Sequence, residues 1–485
     1  MSGGWNGSGP VIGASDAGSG RPRRLLVVAD SDSYLKWGAS LASTLPRPLR
    51  PASGVPGSWR VQVVLLDSPV LPSARQVRVA LDGTACSLDA LRVVDLAGLD
   101  TILDVRRPDV VLLALRGPLV RVVAPRIAAR PDRPVLVSGF PGITIPAEPK
   151  AIVYREQTDL VVLHSRREVR EFARNAAGMP VDVSFGLARL PFLGGAVSGG
   201  GADAAGPAPV RPRGGARDDV VFAVQAKVPR SLEDRERLVG WLVDAARAQP
   251  ERRVVVKVRA RSGEAQTHAE AHDLQGLLAA PSVAGALPTN LVVEDGPMAD
   301  HLRRAAALVT VSSTAVLEAV AAGVPALLLD DFGVDASMIN LVFAGSGLLA
   351  GHEALVAGDY RDPDPAWLED NYFHPAADDD WIVQLGALVA ARDRGVLPPR
   401  VRRHNLTGGA VRRAYERRRM LGERDAGPAA VAGAAATAVA LPARWMVRRA
   451  RRVRARLQPG ASAPLGYAPV DADPAADARV PSRLG

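Results

Sequence analysis

Residues 310–331 read TVSSTAVLEAVAAGVPALLLDD, a pattern that predicts a strand, a helix and a second strand in succession. The first apolar run ends at Ser312, Ser313 and Thr314, and these hydroxyl residues stand where the helix begins. Gly323 marks the end of the helix before the next apolar run. A helix start of this kind leaves backbone N–H groups and the positive end of the helix dipole available to a phosphate.

Glu318 lies four residues after Thr314, so the two side chains share one face of the predicted helix. In this position the Glu318 carboxylate could reach the ribose of a nucleotide whose phosphate lies at the helix start. The alternative is simple N-capping by a hydroxyl, with Glu318 stabilised by the helix dipole. The pattern leaves both interpretations open.

Apolar runs of strand length alternate with helix-length segments on both sides of a central linker. In the N-terminal half these runs lie at 24–29, 59–67, 109–115, 134–139 and 159–165. In the C-terminal half they lie at 219–227, 252–261, 290–296, 307–314 and 325–331. This alternation predicts βαβ units, and hence two Rossmann-like α/β domains with parallel sheets.

Residues 193–217 are rich in glycine, alanine and proline, which predicts a flexible linker between the halves. We therefore expect an N-terminal domain at 22–192 and a C-terminal domain at 218–396 that face each other across a cleft. The flanking residues 1–21 are expected to be disordered. Residues 397–485 are expected to form a basic tail, helical at first and then disordered.

The 485-residue chain has a formal net charge of +9, but this charge is concentrated near the C-terminus. Residues 400–457 contain 16 arginines against three acidic residues, so the remainder is slightly acidic and nucleic acid is not an expected partner. Arginines mixed with Trp445 and Met446 favour peripheral contact of the tail with anionic lipid, although a solvated tail fits equally well. The single cysteine, Cys86, and the absence of a long apolar run favour a cytoplasmic protein.

Four of the 60 basic side chains are lysines: Lys36, Lys150, Lys227 and Lys257. In a chain that otherwise uses arginine, a lysine is a candidate for a place that needs a compact ammonium group. Lys227 and Lys257 end predicted strands of the C-terminal half, where α/β sheets bind ligands, so both are candidates for contact with a donor phosphate. Chance retention is the alternative.

Lys257, Arg259 and Arg261 alternate along the chain, so an extended backbone places all three on one face. Together they could neutralise a diphosphate. A solvated sheet edge is the alternative.

In the N-terminal half, the first predicted strand runs into DSDSYLKWG (30–38). Asp30 or Asp32 is a candidate general base for an acceptor hydroxyl, with Lys36 and Trp37 shaping the acceptor pocket. An aspartate that only caps the next helix is the alternative.

The turn GFPGI (139–143) follows the fourth predicted strand, and Gly139 and Gly142 would let an acceptor approach the backbone closely. His164 ends the fifth predicted strand, where a single histidine is more often structural than catalytic. No histidine or cysteine cluster has the spacing of metal ligands, so neither a metal nor another cofactor is expected.

Taken together, these motifs resemble those of known transferase families. The strand, the Ser-Ser-Thr helix start, Glu318 and the Gly-Val-Pro before the next strand resemble the donor half of GT-B glycosyltransferases. They are similar in particular to the Ser-Ser/Ser-Thr motif of CDP-glycerol glycerophosphotransferases and of bacterial sialyl- and polysialyltransferases. With VQAKVPRS (224–231) and KVRARSGEAQTH (257–268), the N-terminal motifs resemble an actinobacterial family classed as glycosyltransferases, over about residues 22–395.

The resemblance implies a nucleotide-activated donor on the C-terminal domain, a glycan or another cell-envelope acceptor on the N-terminal domain, and metal-independent transfer. Sialyl- and glycerophosphotransferases carry a Lys-x-His-Pro element where this chain has Lys257-Val258-Arg259, which argues against a CMP- or CDP-type donor. Two other functions stay open: a nucleotide-sugar isomerase resembling the 2-epimerases, which share this architecture, and a non-catalytic sugar-nucleotide-binding protein.

Overall fold

The computed structural model describes residues 21–46, 58–191, 193, 217–258, 272–280, 285, 287–425 and 430–438. Within these ranges the chain forms two α/β domains, each built on a parallel sheet. The predicted fold class is confirmed. Most of the predicted linker, the predicted disordered N-terminus and the end of the tail lie outside the described residues.

The N-terminal domain contains seven parallel strands. They are β1 (Arg23–Ala29), β2 (Trp59–Leu66), β3 (Arg92–Val94), β4 (Val110–Ala114), β5 (Val135–Gly139), β6 (Leu160–Leu163) and β7 (Ser184–Leu187). Their order in the sheet is β3-β2-β1-β4-β5-β6-β7. The helices between them are α1 (Asp32–Ser43), α2 (Ala74–Leu81), α3 (Leu96–Arg106), α4 (Gly117–Ala128), α5 (Pro149–Arg155) and α6 (Arg166–Ala177).

The C-terminal sheet has the order β10-β9-β8-β11-β12-β13 and is parallel throughout. Its strands are β8 (Asp219–Ala223), β9 (Arg253–Lys257), β10 (Leu291–Glu294), β11 (Ala305–Thr310), β12 (Ala326–Leu329) and β13 (Leu349–Ala350). The helices are α7 (Leu232–Ala248), α8 (Leu274–Ala279), α9 (Met298–Arg304), α10 (Ala315–Ala321), α11 (His352–Ala357) and α12 (Pro365–Asp370).

Most strands found by the sequence pattern are largely buried, although the predicted edge strand β10 is partly exposed. All residues of β4, β5, β6 and β8 are buried, as expected for strands covered by helices on both faces. The edge strands β3, β7 and β13 were not predicted. They have two to four residues and are partly exposed, so they leave no apolar run in the sequence.

Helix α13 (Trp381–Asp393) corrects the predicted domain boundary at residue 396. It leaves the C-terminal domain and packs against strands β5, β6 and β7 of the N-terminal sheet. Its residues Trp381, Leu385 and Val389 recur every four positions and are buried in the N-terminal core. This period predicts a helix with one apolar face, but it does not indicate which sheet that face covers.

The predicted tail is folded in its first part. Helix α14 (Gly409–Leu421) packs against α4, and residues 430–438 are helical. Arg400 lies 2.6 Å from Asp159, whose buried carboxylate also pairs with Arg133 at 2.8 Å. These arginines therefore stabilise the N-terminal domain instead of forming a free basic surface, while residues 444–457 lie outside the described residues. Among the helices that the structure describes, none combines the length and apolar character needed to cross a membrane.

Arg400→Leu is expected to lower the free energy of unfolding by about 1–3 kcal/mol, because buried Asp159 keeps Arg133 but loses a charged hydrogen-bond donor. Arg403→Leu is the matched control, since Arg403 pairs with Asp182 where the two side chains are 49% and 70% exposed. Exposed pairs contribute only about 0–1 kcal/mol. Denaturant unfolding of both variants measures the difference, and equal losses would contradict the role of the buried pair.

Candidate functional site

The loops that follow β5 and β11 bring the two domains into contact. A Cβ atom placed on Gly142, after β5, would lie only 2.9 Å from the Cγ2 atom of Thr314, after β11. A side chain at position 142 would therefore collide with Thr314. The predicted acceptor loop and the predicted donor helix start thus meet at the carboxyl ends of the two sheets, where α/β domains bind ligands.

Ser312 is a structural member of the donor side. It is 2% exposed, and its hydroxyl donates to the carbonyl of Ile339 at 2.7 Å. Its own carbonyl accepts from the Gln225 side chain at 2.8 Å, which ties β11 to the end of β8. The Ser312 hydroxyl thus donates within the protein, and its contact with the donor stays a prediction.

Ser313 and Thr314 are half-buried, and the capping interpretation applies to only one of them. The Ser313 hydroxyl accepts from the backbone N–H of Ala315 at 3.2 Å. Thr314 occupies the N-cap position of α10, but its side chain makes no capping hydrogen bond. Glu318 lies one turn further along and is also half-buried. Simple capping therefore does not account for Thr314.

The loop after β12 carries a strained residue beside this helix start, which the sequence pattern did not reveal. Ile339 has a φ of 60°, a left-handed conformation that is costly for a β-branched side chain. The next residue, Asn340, is fully buried and holds the loop by donating to Gly333 O at 2.9 Å and accepting from Asp335 N at 3.1 Å. Ser312 and Asn340 together fix the conformation of Ile339.

Lys257 is the last residue of β9, and Lys227 lies four residues after the end of β8. Lys257 ends β9 and is in register with Ala223, the last residue of β8, so the segment that continues to Lys227 leaves the same edge. Both lysines are half-buried. Their predicted partners Arg259 and Arg261 lie outside the described residues.

Asp30 is fully buried after β1. Its carboxylate lies 2.5 Å from Arg116 Nε and accepts from the Arg116 backbone N–H at 3.3 Å. Burial raises the pKa of Asp30, and the Arg116 guanidinium opposes this shift. The carboxylate of Asp30 is thus enclosed and already paired with Arg116, and its role as general base stays a prediction. Of the two candidates only Asp32, the first residue of α1, is partly exposed.

Trp37 and Gly139 belong to the core rather than to the pocket wall. The Trp37 ring is fully buried and donates from its indole N–H to His164 Nε2 at 2.7 Å. A Cβ atom on Gly139 would lie 2.5 Å from this ring, so the glycine makes room for the indole. Both residues were predicted to contact the acceptor, and that contact stays a prediction. Lys36, beside Trp37 on α1, is half-buried.

His164 is structural, which confirms the preferred interpretation. Its Nδ1 lies 2.9 Å from the carbonyl of Ala188, while Nε2 accepts from Trp37, so the ring is neutral with its proton on Nδ1. Burial lowers the pKa of His164.

The domains are also joined by buried Glu168, in the first turn of α6. Its carboxylate accepts from the hydroxyl of Tyr372 at 2.6 Å and from the backbone N–H groups of His164 and Thr144 at 2.8 and 2.9 Å. The sequence signal for this residue is the hydroxyl of Ser165, which accepts from the Glu168 N–H at 3.0 Å. That signal predicts a helix start but not a partner about 200 residues away.

One group among the described residues could hold a metal ion. The candidate ligand atoms of Asp331, His352 and Glu353 lie within 4.8 Å of one another. His352 Nδ1 lies 2.6 Å from the Asp331 carboxylate, and its ring stacks on Trp241 at 4.5 Å. Metal-independent activity therefore stays a prediction.

Residues 25–388 match the family described as "Putative glycosyltransferase (DUF6716)". The chain belongs to this family. Membership agrees with the GT-B-like arrangement of two parallel α/β domains, and it confirms the expectation of a glycosyltransferase-type enzyme. No curated protein matches the sequence.

Solved structures show distant similarity to this family member. The UDP-GlcNAc 2-epimerase from Methanocaldococcus jannaschii is 11% identical, with a TM-score of 0.47, over 75% of this chain and 99% of the epimerase. UGT89C1 from Arabidopsis thaliana is 14% identical, with a TM-score of 0.44, over 77% of this chain and all of that protein. Spinosyn rhamnosyltransferase SpnG is 15% identical, with a TM-score of 0.37, over 78% and 96%. Similarities at this level give no information on the substrates of this chain.

The free energy of unfolding is expected to fall as the pH drops below about 6.5, because His164 takes up a proton in the unfolded chain that it cannot take up in the core. His164→Gln, which keeps an acceptor for Trp37, should be less stable at neutral pH but should show a weaker pH dependence. Urea unfolding at pH 7.5 and 5.5 measures both slopes. Equal slopes would contradict a buried neutral histidine.

Proposed function

We propose that the protein transfers a glycosyl group from a nucleotide-activated donor to an acceptor hydroxyl in the cleft between the domains. The observation that carries this proposal is the direct approach of Gly142 to Thr314, which joins the ligand-binding edges of both sheets. Family membership supports the reaction class.

The donor is proposed to bind the C-terminal domain. The Thr314 hydroxyl, which makes no capping bond, and the backbone N–H groups beside it would bind a donor phosphate, with Ser313 adjacent. Glu318, one turn along the same face, would bind the ribose. Lys227 and Lys257 would neutralise the diphosphate as it leaves.

Asp32 is the proposed general base. Its carboxylate would accept the proton of the acceptor hydroxyl as the hydroxyl oxygen bonds to the donor's anomeric carbon and the bond to the diphosphate breaks. The Asp30–Arg116 pair would hold the loop before Asp32 in place. A glycan or another cell-envelope molecule is the proposed acceptor class, and tail contact with anionic lipid is a proposal limited to residues after 425.

The reaction is tested by incubating the full chain with UDP-, GDP-, ADP- and CMP-sugars, with and without EDTA, and assaying free nucleotide and the sugar itself. Transfer releases nucleotide, and the release should survive EDTA. An isomerised sugar without release would identify an epimerase instead, and binding without either change would identify a non-catalytic binding protein.

Thr314→Val and Glu318→Gln are each expected to weaken binding of the preferred nucleoside diphosphate about tenfold to a hundredfold, since a hydrogen bond to a charged group contributes about 1.5–3 kcal/mol. The melting temperature should stay nearly constant, because the Thr314 side chain caps nothing. Ser312→Ala is the contrasting variant, because it loses the bond to Ile339 and should lower the melting temperature. Calorimetric titrations and melting curves on the same samples distinguish loss of a ligand contact from loss of stability. Wild-type affinity in both site variants would mean that the donor binds elsewhere.

Lys227→Arg and Lys257→Arg keep the charge but replace a compact ammonium with a planar fork. Each is expected to reduce the rate of nucleotide release without lowering the melting temperature. Lys150→Arg serves as the control, because Lys150 lies on α5 with its ammonium 5.5 Å from the Tyr154 ring, away from the strand ends of the C-terminal sheet. Wild-type rates in all three variants would show that these lysines bind no donor.

A further inference from the structure

Two hydrogen-bond donors in the loops after β1 and β4 are buried and have no acceptor among the described residues. Ser31 is 1% exposed, and its hydroxyl forms no hydrogen bond with any described residue although it occupies the N-cap position of the 12-residue helix α1. The Nη2 atom of Arg116, at the start of α4, is also buried and has no partner in the described part of the chain. Buried polar groups in proteins nearly always have partners, so two neighbouring exceptions point to a ligand that supplies acceptors.

These donors lie at the topological switch point of the N-terminal sheet. Strands β1 and β4 are adjacent, with Ala29 in register with Ala114, and the order of the strands reverses between them. Ser31 follows β1 and Arg116 follows β4. Ligands of open α/β sheets bind in the crevice at this point, beyond the carboxyl ends of the strands.

The charges around this point favour a negatively charged ligand. Asp30 is neutralised by Arg116, at 2.5 Å. Arg155 lies nearby and is 2% exposed, and among the described residues no carboxylate forms an ion pair with it. Its partners are neutral: the Gly139 carbonyl at 3.0 Å, the Ser138 hydroxyl at 3.2 Å, the Ala151 carbonyl at 3.3 Å, the Tyr34 hydroxyl at 3.3 Å and the Phe140 ring at 3.8 Å. Asp30 and Arg155 are buried and Arg116 is partly exposed, and the three side chains together carry one excess positive charge.

Tyr34 connects Arg155 to the start of α1 through a hydrogen bond. It lies three residues after Ser31, on the same side of the first turn of α1. Its oxygen accepts from Arg155, whereas its hydroxyl proton is donated to no other described residue. Burial raises the pKa of Tyr34, which keeps the phenol protonated and able to donate.

We propose that the start of α1 is an oxyanion site, formed by Ser31, Tyr34, Arg116 and the first-turn N–H groups, and that it binds a phosphoryl or carboxylate group of the acceptor. The assignment of the bound group to the acceptor rests on the proposed function, whereas the oxyanion site itself does not. The acceptor class is thus an anionic molecule whose hydroxyl is presented to Asp32. Asp32 adds a negative charge at the same helix start. This charge weakens anion binding, but the proposed reaction needs it as the base.

The probe is inorganic phosphate, titrated calorimetrically into the full chain at low ionic strength, with and without a saturating nucleoside diphosphate in the donor site. Ser31→Ala should weaken phosphate binding at least tenfold without lowering the melting temperature, because the removed hydroxyl makes no hydrogen bond with any described residue. If Ser31 were only structural, the substitution would leave phosphate affinity unchanged. Asp32→Asn should strengthen phosphate binding, since it removes a like charge.

Arg116→Gln should weaken binding as Ser31→Ala does. Arg126→Gln is its matched control, because Arg126 lies near the far end of α4, is 34% exposed against 26% for Arg116, and pairs with Asp100. Absence of phosphate binding, or wild-type affinity in Ser31→Ala, overturns the site. Displacement of phosphate by the nucleotide would assign the oxyanion to the donor and overturn the acceptor assignment. Failure of the nucleotide to bind would count against the proposed donor site alone, since phosphate binding is measured without it.

Discussion

The buried carboxylate of Glu168 holds the two halves of the molecule in one arrangement. It accepts hydrogen bonds from Thr144 and His164 of the N-terminal domain and from Tyr372, which follows the last helix of the C-terminal domain. A carboxylate without water must keep its donors, because losing one leaves a buried charge only partly satisfied. The bond to Tyr372 therefore favours the observed angle between the domains.

Side chains in this cleft fall into two groups. Some have all their hydrogen bonds within the protein and hold the structure, while others have hydroxyls that are available to a ligand. Asp30, Asp159 and Ser312 follow or precede strands, and each has its hydrogen bonds completed within the protein. Those residues fix the loops. Ser31 and Thr314 also stand at helix starts, yet neither side chain caps its helix. The uncapped start of α1 costs about 1 kcal/mol of stability, which is consistent with a Ser31 hydroxyl reserved for a ligand, whereas the start of α10 is capped by Ser313.

The sequence pattern predicts the strands that are fully buried, but it misses short strands that are partly exposed. Residues 310–331 form the expected strand, helix and strand because the apolar periods are unambiguous there. Short edge strands such as Arg92–Val94 leave no such period. At the site, the pattern places Asp30 and Asp32 at the end of a strand, but it does not show how deeply each side chain is buried. The depth of burial decides which of them an acceptor can reach. The bond from Trp37 to His164 spans 127 residues, and no local pattern encodes such a pairing.

The contact between Gly142 and Thr314 restricts where substrates can lie. If a methyl group has no room at position 142, a sugar has none between these two residues either. A donor on the Glu318 face of α10 and an acceptor at the start of α1 must then approach each other beside this contact. In the proposed reaction this contact would exclude water from one side of the reacting atoms and so help the acceptor hydroxyl to compete with hydrolysis. The glycine after β5 brings the two domains into contact, and its contact with an acceptor stays a prediction.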